Sequence, residues 1–221
     1  LVTDSKQLAE KVMEYNLGIM ENIHARFPTE IHGFSFTDDW GTELATFISP
    51  KMWDDFFKPR YKVLFDAMHA AGWHVWMHSC GKVNDIIESL IDNGYKGIVI
   101  AGTGLGHVNK PLYPALRRAR EKGISVYMTV QTLWGYVQMF VYDTGRDIME
   151  LGVVPAANML PEVAYLKLGW ALGRTSDPAK VREIMLTPIA GEITEREPHN
   201  GYLILQGGIP EVERFVSSYW K

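Results

Sequence analysis

The sequence contains a single cysteine, and this scarcity excludes an internal disulfide. A lone Cys80 fits a reducing compartment, which predicts a cytoplasmic location. No apolar run approaches the ~18–20 residues that a membrane-spanning helix needs. The first residues, LVTDSKQLAEKV, have neither a basic segment nor an apolar one, so no signal peptide is visible. We therefore expect no association with a membrane.

Positive charge is also scarce. The chain has 22 Lys and Arg residues against 26 Asp and Glu residues, a net charge of −4, and no basic run. A nucleic-acid partner is not predicted, because such partners require a basic patch or stripe. What is present is an ordinary globular composition, 47% hydrophobic and 22% charged. This composition excludes a disordered or disulfide-stapled chain.

The alternation of strand-like and helical segments predicts the fold class. Residues 97–101 (GIVIA), for example, have the continuous apolar character of a strand that is buried on both faces. Strands that alternate with helices form βαβ units. We predict an α/β protein with an open parallel sheet of about five strands and helices on both faces, rather than a partial TIM-type barrel, because eight strands cannot be counted. The predicted strands are 30–37, 73–78, 97–101, 124–129 and 153–154, with 202–205 as a candidate edge strand.

Two helices near the beginning of the chain carry specific expectations. In residues 5–25 an apolar side chain recurs every three to four positions, which predicts a helix with one apolar stripe. The stripe comprises Leu8, Val12, Tyr15, Ile19 and Ile23. Residues 50–71 also have a helical period, but Pro59 lies inside them. We expect a kink or a break near Lys58, because proline interrupts helical hydrogen bonding.

His78 and Cys80 follow a predicted strand in the order H-S-C-G. Alternation along a strand directs residues i and i+2 to one face, and both side chains are good zinc ligands. Catalytic zinc usually has three protein ligands, so a third ligand would come from Asp38, Asp39, His107 or another carboxylate. The alternative interpretation is a buried structural cysteine beside a hydrogen-bonded histidine.

Asp38 and Asp39 follow the preceding strand. Adjacent carboxylates are suited to acid–base catalysis or to metal binding, and we take both as candidate catalytic residues. The alternative is a solvated turn in which an aspartate accepts a backbone hydrogen bond. We hypothesise that Asp39 points toward His78 across adjacent strand ends.

A glycine-rich loop follows the apolar strand 97–101. It comprises Gly102, Thr103, Gly104, Leu105, Gly106 and His107. Glycines allow a backbone to approach a ligand closely, and anions bind at a following helix N-terminus. The order is G-x-G-x-G rather than G-x-G-x-x-G, and no P-loop is present. A ligand-binding loop and a tight strand–helix turn both remain open.

Residues 1–94 resemble the uroporphyrinogen decarboxylase superfamily. The resemblance rests on D-D-W-G, I-S-P, K-P-x-Y-K and H-S-C-G-x-V, and it is strongest toward the methyltransferase-like branch. It implies a piece of a (β/α)₈ barrel in which His78 and Cys80 bind a zinc ion that activates a thiol. The family's third ligand, a cysteine, has no counterpart in this sequence.

Residues from about 94 to 196 resemble a different family, the small C-terminal domain of asparaginases and of the D-type subunit of archaeal glutamyl-tRNA(Gln) amidotransferases. The resemblance rests on GYKGIVIAGTGLGHV, VYDTGRDIMELGV and IAGEITER. It implies a small parallel α/β domain that forms homo-oligomers, with its glycine loop beside a neighbouring active site. Gly102, Thr103, Gly104 and Leu105 would then bind substrate. The nucleophilic threonines of this family lie in another domain, whose motifs this sequence lacks.

The two resemblances meet at residues 85–97. The main interpretation is a single α/β domain, 1–221, that is a recombined or engineered chimera without a complete active site. One alternative is a zinc-dependent methyltransferase-type protein that uses His78 and Cys80. The other is an amidohydrolase module that needs a partner domain to supply the threonine. Whether the chain is an enzyme is left open, and zinc is the one cofactor suggested.

Overall fold

The computed structural model describes residues 2–195 together with Arg214, Ser217 and Ser218. The helices are α1 (Val2–Arg26), α2 (Pro50–Met52), α3 (Lys58–Ala70), α4 (Asn84–Asp92), α5 (Tyr113–Glu121), α6 (Asp143–Glu150), α7 (Pro161–Leu172) and α8 (Pro178–Leu186). The strands are β1 (Gly33–Thr37), β2 (His74–His78), β3 (Gly97–Gly102), β4 (Ser125–Val130) and β5 (Val154–Pro155). The candidate edge strand 202–205 lies outside the described residues. Among those described, no helix is long and apolar enough to cross a bilayer.

All pairs of strands in this part of the chain are parallel, which confirms the predicted α/β class. Strand β1 pairs with β2, and Thr37 lies opposite His78. Strands β3, β4 and β5 form a second sheet in that order, with Gly102 opposite Val130. Five parallel strands were predicted and five are described, but they form two sheets instead of one continuous sheet. These strands do not close into a barrel.

Helix α7 contacts both sheets and explains how they meet. On β3, a Cβ at Gly97 would lie 2.7 Å from Leu172 Cδ1 and 2.8 Å from Leu168 Cδ2. On β2, the indole of Trp76 packs against Gly169 of α7, where a Cβ on the glycine would lie 1.9 Å from Trp76 Nε1. The sheets therefore meet through side chains packed against α7.

Helices cover both faces of the second sheet, as predicted. Val126, Met128 and Val130 pack in one apolar cluster with residues of α5 and α6. The side chain of Tyr127 points to the opposite face of the sheet and packs in a second apolar cluster with residues of α7 and α8. This division follows the alternation of side chains along β4. A third cluster lies between α1, α3 and the β1–β2 sheet, and its members all come from residues 13–95.

The predicted apolar stripe of α1 does not face this cluster, apart from Ile23. Leu8, Val12, Tyr15 and Ile19 are exposed. The packed face comprises Met13, Leu17, Met20 and Ile23. Two ion pairs accompany this orientation, Lys6 with Asp55 and Glu10 with Arg60. A different apolar face from the predicted one therefore meets α3.

The expected break near Lys58 is confirmed. Trp53–Phe57 form a π-helical turn, and α3 begins at Lys58 with Pro59 in its first turn. Proline is tolerated there because the first N–H groups of a helix have no partner within it. The turn buries Trp53 completely, and the Trp53 ring packs edge-on against Trp40 at 4.8 Å between centroids. Trp40 in turn anchors the loop that follows β1.

Candidate functional sites at the carboxyl ends of the strands

The loops that follow β1 and β2 are held together by their backbones. Gly81 has a φ of 81°, and a Cβ at this position would lie 2.1 Å from the carbonyl oxygen of Gly41. The N–H of Lys82 donates to the carbonyl of Thr42 at 2.7 Å. Only glycine fits such an approach at a positive φ. The two strand ends are thereby fixed side by side.

This alignment brings Asp39, His78 and Cys80 together. His78 Nε2 lies 3.1 Å from Cys80 Sγ and 4.0 Å from Asp39 Oδ1. The backbone N–H of Cys80 donates to Asp39 Oδ1 at 2.8 Å. One donor atom from each of the three residues lies within 4.8 Å of the others. Asp39 therefore points toward His78 across adjacent strand ends, as hypothesised. The side chains of Asp39, His78 and Cys80 are all exposed.

Asp38 has a different environment from Asp39. Its Oδ2 accepts a hydrogen bond from the hydroxyl of Tyr61, a buried residue of α3. Burial, and then the Asp38 carboxylate, raise the pKa of the Tyr61 hydroxyl. Tyr61 thus stays protonated and holds Asp38 toward α3. Asp38 is not part of the three-residue group.

The three-residue group has the donor set of a zinc site. Nitrogen, sulfur and oxygen ligands are the ones that zinc binds, and three protein ligands leave a fourth position open. Tetrahedral zinc places N and S ligands about 3.6 Å apart and N and O ligands about 3.3 Å apart. His78 Nε2 lies 3.1 Å from Cys80 Sγ and 4.0 Å from Asp39 Oδ1. Rotation of these exposed side chains is enough to bring both separations to the zinc values. Desolvation, followed by the Asp39 charge, raises the pKa of the Cys80 thiol, and a bound cation would oppose this shift.

The glycine loop after β3 closes on itself. Thr103 and His107 form an antiparallel bridge in which each N–H donates to the other's carbonyl, at 3.0 and 2.9 Å. The N–H of Gly106 also donates to Thr103. The N–H groups of Gly104 and Leu105 have no hydrogen bond within residues 2–195. The loop therefore offers a ligand two backbone donors at its tip, not a full anion cradle.

Close packing requires glycine at two positions of this loop. A Cβ at Gly102 would lie 2.5 Å from Met128 Sδ, and one at Gly106 would lie 2.7 Å from Val137 Cγ1. Gly106 also has a φ of 100°. These glycines let the loop lie flat against β4 and the segment that follows it. The tight-turn interpretation therefore accounts for Gly102 and Gly106, and ligand binding remains a prediction for Thr103, Gly104 and Leu105.

His107 lies at the base of the loop, away from the β1–β2 site. Its Nδ1 is 3.1 Å from Thr144 Oγ1, and its ring meets Tyr142 at 5.3 Å between centroids. Its Nε2 is buried with no hydrogen-bond partner among the described residues. His107 was one of the candidates for a third metal ligand, but it is not in the group with His78 and Cys80.

An exposed apolar surface borders the glycine loop. It belongs to the segment after β4, which is tied to the loop by a 2.9 Å hydrogen bond from the N–H of Gln138 to the carbonyl of Leu105. The surface comprises Leu133, Phe140, Val141 and Tyr142, each more than half exposed. Clustered exposed apolar side chains are typical of interaction sites. We call these four residues the loop-edge surface.

A buried ion pair was not foreseen from the sequence. The Lys167 ammonium pairs with Glu192 and donates to the carbonyl of Thr187 at 2.7 Å. Glu192 also accepts the N–H groups of Ile189 and Ala190. Burial opposes ionisation of Glu192, but Lys167 and these N–H groups outweigh it and lower its pKa to about 2. Twenty-five residues separate the partners in the sequence, and no local pattern indicates such a pair.

Comparison with known proteins finds similarity over one part of the chain. Residues 78–185 match the family model described as "Glutaminase/Asparaginase C-terminal domain". The D-type subunit of glutamyl-tRNA(Gln) amidotransferase from Thermococcus kodakarensis is 54% identical over 114 residues, 52% of this chain and 26% of that protein. Its counterpart from Methanothermobacter thermautotrophicus is 54% identical over 112 residues, 51% of this chain and 26% of that protein. The chain thus spans about a quarter of the length of these relatives.

A solved structure is also similar. The thermostable L-asparaginase from Thermococcus kodakarensis is 36% identical, with a TM-score of 0.47, over 52% of this chain and 35% of that one. The family match begins at His78 and so extends into the segment that resembles the uroporphyrinogen decarboxylase superfamily. That resemblance stays a prediction. Residues 78–185 are similar to the C-terminal domain of glutaminases and asparaginases.

Proposed function

We propose that the chain is an accessory module of an amide-hydrolysing assembly, in which another domain supplies the nucleophile. The observation that carries the proposal is the similarity of residues 78–185 to the glutaminase/asparaginase C-terminal domain. Relatives about half identical over this region are subunits of an amidotransferase. These similarities favour the amidohydrolase alternative over a chimera without any function. The substrate class is a carboxamide such as that of glutamine or asparagine.

Two features of the carboxyl edge support this role. The free N–H groups of Gly104 and Leu105 are suited to the carboxylate or the amide oxygen of a small substrate, with Gly102 and Thr103 at the base of the loop. The loop-edge surface beside them is suited to a protein partner, because its four apolar side chains are exposed. A partner docked there would bring its nucleophile next to the loop. A second copy of this chain could bind in the same assembly as a homo-oligomer.

Reconstitution tests the proposal. The full chain is mixed with the D-type amidotransferase subunit of Thermococcus kodakarensis from which the segment similar to this chain has been removed. We expect the two proteins to associate in sedimentation velocity and to release ammonia from L-glutamine, while each alone does not. Absence of association, or ammonia release that is the same without the chain, contradicts the proposal.

A matched pair of glycine variants locates the effect. Gly106→Ala places a Cβ 2.7 Å from Val137 Cγ1 and should abolish ammonia release. Gly123→Ala creates a similar backbone strain, since φ is 71° there, but a Cβ at this position meets nothing within 4 Å and the site is distant in the fold. The control should retain the activity. Equal losses in both variants would show that the loop has no specific role.

A second candidate function is zinc binding by Asp39, His78 and Cys80, which we propose from the donor geometry. Asp39 would take the place of the cysteine that the zinc methyltransferases have. When bound, zinc would act as a Lewis acid toward a thiol or a water molecule at the open position. A catalytic role for Asp38 as proton acceptor would require its carboxylate to leave the hydrogen bond with Tyr61. The backbone contact of Gly81 with Gly41 keeps the ligands aligned.

Metal analysis tests this candidate. We expect about one zinc per chain after dialysis against micromolar zinc, and loss of zinc in His78→Ala. His74→Ala is the matched control, since His74 is an exposed histidine at the other end of the same strand. Titration with cobalt(II) should produce a thiolate absorption band that Cys80→Ser lacks. Zinc that persists in His78→Ala, or no zinc in the unmodified chain, contradicts the assignment.

A further inference from the structure

The outward face of α1 has an apolar stripe that the fold does not use. Leu8, Val12, Tyr15 and Ile19 are 65%, 52%, 70% and 39% exposed. The packed face of the helix lies elsewhere, on Met13, Leu17 and Met20. Single exposed apolar residues need no explanation, but four in line on one helix are a candidate interaction surface. This surface is separate from both sites described above.

The spacing of the stripe is that of a helix-pairing seam. The intervals between its residues are four, three and four, which is the a/d spacing of a coiled coil. The same intervals result when the stripe is followed from either end. A second copy of α1 running in the opposite direction therefore matches it, with Leu8 opposite the partner's Ile19 and Val12 opposite the partner's Tyr15. We propose that α1 pairs antiparallel with α1 of a second copy of this chain, about a two-fold axis.

Charge selects the antiparallel direction. Asp4 lies in the first turn of α1, and His24 and Arg26 lie in the last turn. In this register Asp4 lies level with the partner's Ile23, within one turn of the partner's Arg26, so opposite charges meet at both ends of the seam. Antiparallel pairing also aligns the two helix dipoles favourably. Parallel pairing would place like charges together at both ends. The two-fold arrangement is thus the one that the end charges favour.

Gly18 provides an independent observation. It lies in the interior of α1, where glycine destabilises a helix relative to alanine. No intramolecular contact requires it, because a Cβ at this position would meet nothing within 4 Å. In the antiparallel register Gly18 lies level with the partner's Ala9, and the partner's Lys11 is two residues further along the same side of the seam. The missing side chain leaves room for the aliphatic stem of that lysine at two symmetric positions.

Sedimentation equilibrium of the full chain, from about 1 to 200 µM, tests the proposal. We expect a monomer–dimer equilibrium whose dissociation constant rises at least about tenfold in the double variant Val12→Glu, Tyr15→Glu. The matched control is Leu44→Glu, Leu166→Glu, which adds the same charge at exposed apolar residues outside both α1 and the loop-edge surface. The control should dimerise as the unmodified chain does. A chain that is monomeric throughout, or equal effects in both double variants, overturns the proposal.

Charge reversal tests the direction of pairing without altering the apolar seam. Asp4→Arg should weaken the dimer, because it places an arginine within one turn of the partner's Arg26. The double variant Asp4→Arg, Arg26→Asp should restore the dimer to within a factor of about two of the unmodified chain. These surface substitutions keep the test valid if glutamate in the seam prevents folding. Failure of the double variant to restore the dimer overturns the antiparallel arrangement.

Discussion

The ion pair between Lys167 and Glu192 fastens the end of the described region to α7. Both side chains are more than nine-tenths buried, and removing one partner of such a pair leaves an uncompensated charge. The carboxylate also accepts the N–H groups of Ile189 and Ala190. The pair therefore orders the turn after α8 as well as the contact with α7.

This pair predicts a loss of stability in acid. The folded-state pKa of Glu192, about 2, lies below its usual value of 4.5. The stabilisation is thus complete above about pH 5 and declines as the pH falls toward 2. Glu192→Gln should cost on the order of 3 kcal/mol at pH 7 and little at pH 2, as measured by urea unfolding. Glu195→Gln, at an exposed carboxylate nearby, should cost little at either pH; an equal cost in both variants would contradict the role of the pair.

Individual residues differ in how far the sequence predicts their position. The juxtaposition of Asp39 and His78 was predictable, because the ends of neighbouring parallel strands share an edge. The different environments of Asp38 and Asp39 were not, because they depend on a tyrosine of α3 that lies 23 residues further on. The same holds for Lys167 and Glu192. Local sequence patterns predict which side chains lie at the end of a strand. They do not predict which residue distant in the sequence contacts each of them.

Helix α1 shows a similar division at the scale of an element. Its existence was predictable from the apolar period, but it has two apolar faces, and the period does not select the one that packs. The selection depends on residues distant in the sequence: the apolar cluster that Met13, Leu17 and Met20 join, and Asp55 and Arg60, which pair with Lys6 and Glu10. By contrast, the break before α3 was predictable because Pro59 acts within its own segment.

The assignment of the α1 faces predicts unequal effects of alanine substitutions. Met20 is only 7% exposed, so Met20→Ala should leave a cavity and lower the free energy of unfolding by about 2–4 kcal/mol. Tyr15→Ala removes a larger side chain that is 70% exposed, and at low protein concentration it should change this free energy by less than about 0.5 kcal/mol. Urea unfolding at about 1 µM measures both, below the range in which dimers would contribute. The reverse order would mean that the stripe is the packed face.

At the scale of the whole molecule, the fold consists of two parallel sheets joined by side chains. One apolar cluster draws only on residues 13–95, and the other two draw on residues 87–193. This division agrees in position with the predicted change of resemblance near residues 85–97. The sequence predicted the number of strands and their direction, because βαβ units dictate both. It did not predict the interruption between β2 and β3, where Trp76 packs against α7.

We expect the contact between Trp76 and Gly169 to couple the unfolding of the two sheets. Gly169→Ala places a Cβ 1.9 Å from Trp76 Nε1, and such overpacking typically costs about 1–3 kcal/mol. Trp76→Phe removes the atom that clashes, so the double variant should recover most of the loss. We expect tryptophan fluorescence and far-ultraviolet circular dichroism to give one shared urea transition in the unmodified chain and two separate transitions in Gly169→Ala. A single transition in Gly169→Ala would mean that other contacts couple the sheets.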